Sequence, residues 1–123
     1  MPSKVNSIRY LRAAVEEFRK LDPVMPAQTM AHFLVIAERA PEEIGMKELA
    51  GMFGLSQSST SRNVAYLGKV WKTNSEGAVP GLDLVEAYED PMERRRKLVR
   101  MTPKGKRVAE ALAGLIPGGG EGG

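Results

Sequence analysis

The chain has 123 residues, 42% hydrophobic and 27% charged, which suits one globular domain with a single core rather than a disordered segment. It contains no Cys, which excludes disulfides, a thiolate nucleophile and a Cys metal site; its one His, His32, makes neither a catalytic triad nor a zinc site. The net charge of +3 is unevenly spread: residues 1–55 hold seven Lys/Arg against seven Asp/Glu, but residues 56–107 hold eleven against six, a positive excess that suits a polyanionic partner.

In chain order, Ser3 is the expected N-cap of a helix over residues 4–21, where Val5, Ile8, Leu11, Val15 and Phe18 recur at helical spacing. "DPVMP" breaks it, and Pro26 suits the first turn of a second helix, "AQTMAHFLVIAERA", which ends before Pro41. His32 sits mid-helix among apolar neighbours and is read as a packing or surface residue. Gly45 can cap a short helix "MKELAGMF", and Gly54 breaks it where a tight turn is needed. Ser56 caps a further helix running to about Lys69. Residues 72–81, "KTNSEGAVPG", read as a loop. "LDLVEAYE" at 82–89 and "KLVRMT" at 97–102 read as strands of a hairpin joined by "DPMERR". Thr102 before Pro103 opens a last helix through about Leu115, and the tail at 117–123 is Gly-rich and flexible in character.

The order helix, helix, helix, turn, helix, strand, turn, strand, helix is a winged helix-turn-helix layout: mainly α, with a small β-hairpin wing. No apolar run approaches a membrane span, the longest being "FLVIA" at 33–37, and "MPSKVNSIRYLR" has no signal-peptide stretch. A soluble, cytoplasmic protein is expected.

Five hydroxyls crowd the start of the helix after Gly54: Ser56, Ser58, Ser59, Thr60 and Ser61. Such residues are poor in helix interiors, so they must either cap the helix or face something outside it. With Ala50 and Gly54 at a close crossing, Leu49, Phe53, Leu55, Val64 and Leu67 turn inward and Thr60 lies at the edge. Gln57, Ser58, Ser61, Arg62, Ala65, Tyr66 and Lys69 remain outward. Short hydroxyls at a helix N-terminus can approach phosphate closely, Gln suits an adenine edge and Arg a guanine edge. Arg94, Arg95, Arg96 and Lys97 crowd the hairpin tip, where Asp90 and Glu93 can hold some of them and leave others to reach a narrow minor groove.

"MKELAGMFGLSQSSTSRNVAYL" and "DPMERRRKLVRMTPKGKRV" resemble the helix-turn-helix and the wing of the multiple-antibiotic-resistance regulator (MarR) family, over roughly residues 30–112. In the wing, Glu93 stands where the family often has Asp, and Arg95 falls at the characteristic Arg. The resemblance implies a transcription regulator, in most cases a repressor, that binds a palindromic operator in double-stranded DNA as a homodimer. The dimer would use helices 4–21 and 103–116, so one domain spans 1–116. "WKTNSEGAVPG" looks like an insertion between recognition helix and wing. The DNA-binding set is Ser56, Gln57, Ser58, Ser59, Ser61, Arg62, Tyr66, Lys69, Arg94, Arg95, Arg96 and Lys97.

No metal or other cofactor is expected, and an effector ligand is left open. The absence of Cys excludes the peroxide-sensing thiol chemistry of some relatives, and no pattern marks a phenolic-ligand pocket. The competing reading is a winged-helix module that docks proteins without nucleic acid. An enzyme is disfavoured, because no carboxylate pair, His constellation or phosphate-cradling Gly loop is visible in the sequence.

Overall fold

The computed structural model describes residues 4–118, with side chains from residue 7 onward. The expected Ser3 cap, the Val5 side chain and most of the Gly-rich tail lie outside these. Five helices and five strands follow in the order α1 (Lys4–Leu21), α2 (Ala27–Arg39), β1 (Ile44–Gly45), α3 (Met46–Phe53), α4 (Gln57–Leu67), β2 (Val70–Asn74), β3 (Gly77–Pro80), β4 (Val85–Glu89), β5 (Lys97–Met101) and α5 (Pro103–Gly114). This is the winged helix-turn-helix arrangement expected from the residue pattern.

The core forms where the apolar faces of α1 to α5 meet the sheet. Phe18, Phe33, Ile36, Ile44, Leu49, Val64, Leu67, Leu84, Val85, Val99 and Leu112 are all buried in it. Phe18 meets Phe33 edge-to-face at 6.1 Å, which ties α1 to α2. His32 is buried, stacked on Phe53 at 4.2 Å, with Nδ1 donating to the Gln28 carbonyl. Thr60, expected at an edge, is instead fully buried, because α4 presses that face against its neighbours along with Val64 and Leu67.

The wing is a three-stranded antiparallel sheet in the order β1-β5-β4. β4 pairs with β5 from Val85↔Met101 to Glu89↔Lys97, and β1 adds Ile44↔Val99 on the other side of β5. The first of these strands begins at Val85 rather than at residue 82. The three residues before it have a different duty.

Residues 81–84 run along the exit of α4 and take up its last carbonyls. Leu82 N–H donates to Tyr66 O, Asp83 N–H to Gly68 O and Leu84 N–H to Leu67 O. These are the acceptors that a helix end otherwise leaves unpaired. The opposite side of the same segment receives α5: Thr102 N–H donates to Leu84 O, the Thr102 hydroxyl to Asp83 O at 2.7 Å and Lys104 Nζ to Leu82 O. Thr102 is also the N-cap of α5, its oxygen accepting from Gly105 N–H at 3.0 Å. Contact is so close that a Cβ on Gly105 would fall 1.9 Å from Leu84 O, and one on Gly81 would fall 2.2 Å from Gly68 O.

The stretch expected as a loop at 72–81 is a second hairpin instead. β2 pairs with β3 from Val70↔Pro80 to Asn74↔Gly77. Its turn formers are real, but they make only the tip: Asn74 Oδ1 accepts from Glu76 N–H at 2.9 Å, and Gly77 takes φ 116°. α4 correspondingly ends at Leu67, with Gly68 as its cap, and not at Lys69.

Two glycines in similar-looking surroundings should respond oppositely to alanine. Gly105→Ala has no room and should cost about 2–3 kcal/mol, roughly 10 °C in thermal midpoint. Gly51→Ala, inside α3 with nothing within 4 Å of the new Cβ, should stabilise by about 0.5–1 kcal/mol. Circular-dichroism melting of both variants checks the pair.

Candidate nucleic-acid interface

The turn that aims α4 is short. Gly54 ends α3 in the left-handed region at φ 63°, its N–H returning to the α3 carbonyls. Leu55 N–H also donates back to Ala50 O, so only Ser56 separates this closed turn from α4. Ser56 is the N-cap: its Oγ accepts from Ser59 N–H at 3.1 Å and donates to Ser59 Oγ at 3.1 Å. Ser59 Oγ also accepts from Arg62, and Asn63 bridges Ser59 O to the Thr29 hydroxyl on α2.

The five hydroxyls thus divide. Thr60 is buried, and Ser56 and Ser59 satisfy one another and the helix end. Ser58 and Ser61 are exposed, beside the exposed Gln57. These three line one wall of an open cleft of about 860 Å³. Its other walls are Gly45 to Glu48 at the start of α3, and Glu93, Arg95, Arg96 and Lys97 of the wing.

The wing tip is built by its backbone. Asp90 Oδ1 accepts from Met92 N–H, Glu93 N–H donates to Asp90 O and Arg96 N–H to Glu93 O. Arg96 is partly held, 3.9 Å from Asp90 and lying over Gly45, where a Cβ would come within 3.3 Å of Nε. Arg100 is fully committed: Glu86 and Glu43 take its guanidinium, which lies 4.3 Å over the Tyr88 ring. The Glu86 hydrogen bond holds its pKa above the ordinary guanidinium value. Arg94, Arg95 and Lys97 are exposed and form no ion pair among the described residues. Glu48 and Glu93 line the same cleft, and Glu48 is taken by Arg39.

Of the residues expected to contact DNA, Gln57, Ser58, Ser61, Arg95, Arg96 and Lys97 share this cleft. Ser56, the N-cap, and its partner Ser59 are not part of its lining, and Arg62 and Arg94 are exposed outside it. Tyr66 is half-buried, packed edge-to-face on Trp71 at 5.3 Å, and Lys69 follows the end of α4. Lys47 was not anticipated. It stands exposed in the first turn of α3 against the same cleft, in a half of the chain whose charges cancel. Only its place beside the Gly45 cap could have marked it.

Among the described residues no group of three or more His, Asp or Glu side chains could hold a metal, and no helix is long and apolar enough to cross a membrane.

Comparison of the whole fold finds the same architecture in solved bacterial regulators. A mutant MepR from a multidrug resistant S. aureus clinical isolate superposes with a TM-score of 0.69 at 14% identity, covering 90% of this chain and 70% of that one. The S. aureus MepR–DNA complex gives 0.68 at 15% identity, covering 89% and 77%. A MarR-family transcriptional regulator from Rhodococcus sp. gives 0.56 at 21% identity, covering 92% and 69%. The fold is that of the MarR-family winged helix-turn-helix regulators. No family model and no curated protein matches the sequence itself.

The division of the hydroxyls is measurable. Ser56→Ala should cost about 1 kcal/mol of stability, whereas Ser58→Ala and Ser61→Ala should stay within about 0.5 kcal/mol of wild type. Urea unfolding midpoints of the three variants separate the cap from the exposed pair.

Proposed function

We propose that this chain is a sequence-specific double-stranded DNA-binding transcription regulator of the MarR type, acting as a repressor. The observation that carries the reading is the shared cleft: an open helix N-terminus bearing Gln57, Ser58 and Ser61 on one wall, and the unpaired wing cations on another. The start of α4 would enter the major groove, with Ser58 and Ser61 against phosphates and Gln57 and Arg62 on base edges. Arg94 and Arg95 would reach the adjacent minor groove, whose negative potential favours Arg. One protein that shares the fold, MepR of S. aureus, has been crystallised in complex with DNA, which supports the assignment by analogy of fold. The chain then works without catalysis, by occupying DNA.

The same reading includes a homodimer. Ile8, Leu11 and Val15 lie on one side of α1 and are 61, 66 and 45% exposed, while Phe18 on the next turn is buried. Val108 and Leu112 of α5 and Leu115 just after it pack in or against the core, and Ile116 in the following turn remains exposed. An uncovered apolar stripe of this kind suits an interface, and a twofold axis there would set two α4 helices about 34 Å apart on a palindromic site.

Binding to a preferred duplex should be lost steeply with salt, by roughly three to five decades between 50 and 200 mM if a dimer makes about six to ten phosphate contacts. Arg62→Ala should cost about 1–3 kcal/mol on that site and relax base preference, whereas Arg95→Ala should weaken preferred and random duplexes alike. Fluorescence anisotropy on both duplexes reads these quantities, and a flat salt response would remove the DNA-binding assignment. Leu11→Glu should convert a species near twice 13.4 kDa into one near 13.4 kDa in light scattering at micromolar concentration. A wild-type chain that is already monomeric, with and without DNA, would rule out the dimer.

A further inference from the structure

The hairpin β2–β3 is the part of the fold that neither the core nor the proposed cleft accounts for. Every residue of β2 is exposed, and only Val79 of β3 is even half-buried. A two-stranded ribbon open on both faces is marginal by itself, so its position depends on an anchor. Trp71 supplies it. The register shifts between Val70 and Lys72, which makes Trp71 the extra residue of a β-bulge. There its ring meets Tyr66 in the last turn of α4 at 5.3 Å and 85°, and Lys72 Nζ lies 4.5 Å over it. The ribbon is therefore tied to the helix that carries the proposed base-reading residues. Lys69 and Lys72 are exposed at its base and form no ion pair among the described residues, and Glu76 is its one acidic residue, at the opposite end.

We propose that this hairpin is a second DNA-contacting ribbon, in which Lys69 and Lys72 neutralise phosphates and Trp71 packs on the sugar-phosphate backbone. The inference rests on the DNA-binding reading and extends its footprint. An 11-residue α4 is about 16 Å long, longer than the roughly 12 Å width of the major groove. If α4 lies across the groove with its N-terminus among the bases, its C-terminus would come to a bordering phosphate wall. The hairpin leaves the helix at that end with its cations uncompensated, so duplex DNA is the occupant that both its charge and its continuity with α4 favour.

Trp71 is the chain's one Trp, so its emission reports on the hairpin directly. The 123-residue protein is titrated with a labelled duplex recovered by selection from random-sequence DNA, following DNA anisotropy and Trp quenching by acrylamide together. At saturation the quenching constant should fall at least twofold, with the same midpoint as the anisotropy. In parallel, Lys69→Ala/Lys72→Ala, checked for an unchanged melting curve, should reduce the slope of log affinity against log salt by about 1.8 per bound protomer. An anisotropy rise with unaltered quenching, or an unaltered salt slope in the double variant, overturns the proposal and leaves the exposed Trp to a protein partner. An anisotropy that never rises rejects the DNA-binding reading, and the hairpin's role falls with it.

Discussion

The structure depends on a clamp four residues long. Residues 81–84 are tied through their backbone on two sides: three of their N–H groups close the carbonyl end of α4, and three of their carbonyls hold the first turn of α5. Leaving a backbone group of the buried Leu84 unpaired would cost about 1–3 kcal/mol, which helps to fix this geometry. Leu84 sits at its centre, fully buried, with Leu67 on one side and the Gly105 backbone against the other. The clamp fixes the recognition-type helix and the wing in one frame, because β4 begins immediately after it. A cleft with a helix on one wall and a hairpin on another keeps its shape only if that junction is stiff.

The β2–β3 hairpin lies outside this clamp. β2 and β3 leave from Gly68 and return at Gly81, where Gly81 N–H donates to Lys69 O at 3.0 Å. The excursion closes on itself at Gly81, the first residue of the clamp. At the other end of α4, the hydroxyl cluster divides its work in the same economical way. One pair satisfies the helix end, one residue packs inside, and the two remaining face outward with Gln57.

Much of this was legible in the sequence. Ser56 and Thr102 announced both N-caps, Gly54 the tight turn, and the apolar spacing the buried faces of α3 and α4, because each follows from local chemistry within a few residues. The hairpin was not legible. β2 is exposed on both faces, so "VWKTN" has no alternation of apolar and polar residues, and the turn formers that follow mask the pairing. Thr60 was misplaced because its burial is set by how closely α4 approaches its neighbours. Gly81 and Gly105 matter through contacts with backbone distant in sequence, which no periodicity encodes. Lys47 enters the site only once α3 and the wing are folded together. The site was legible as residue types on two segments, and the clamp that brings them together was not.

The proposed function requires that α4 and the wing contact one duplex as a single rigid unit. Backbone amide chemical shifts of the labelled protein, followed while a duplex is titrated in, test it most directly. Amides of residues 57–61 and 94–97 should shift together with one midpoint, while those of residues 82–84 stay in place. Shifts confined to one of the two segments, or concentrated on α1 and α2 with α4 unmoved, would contradict it.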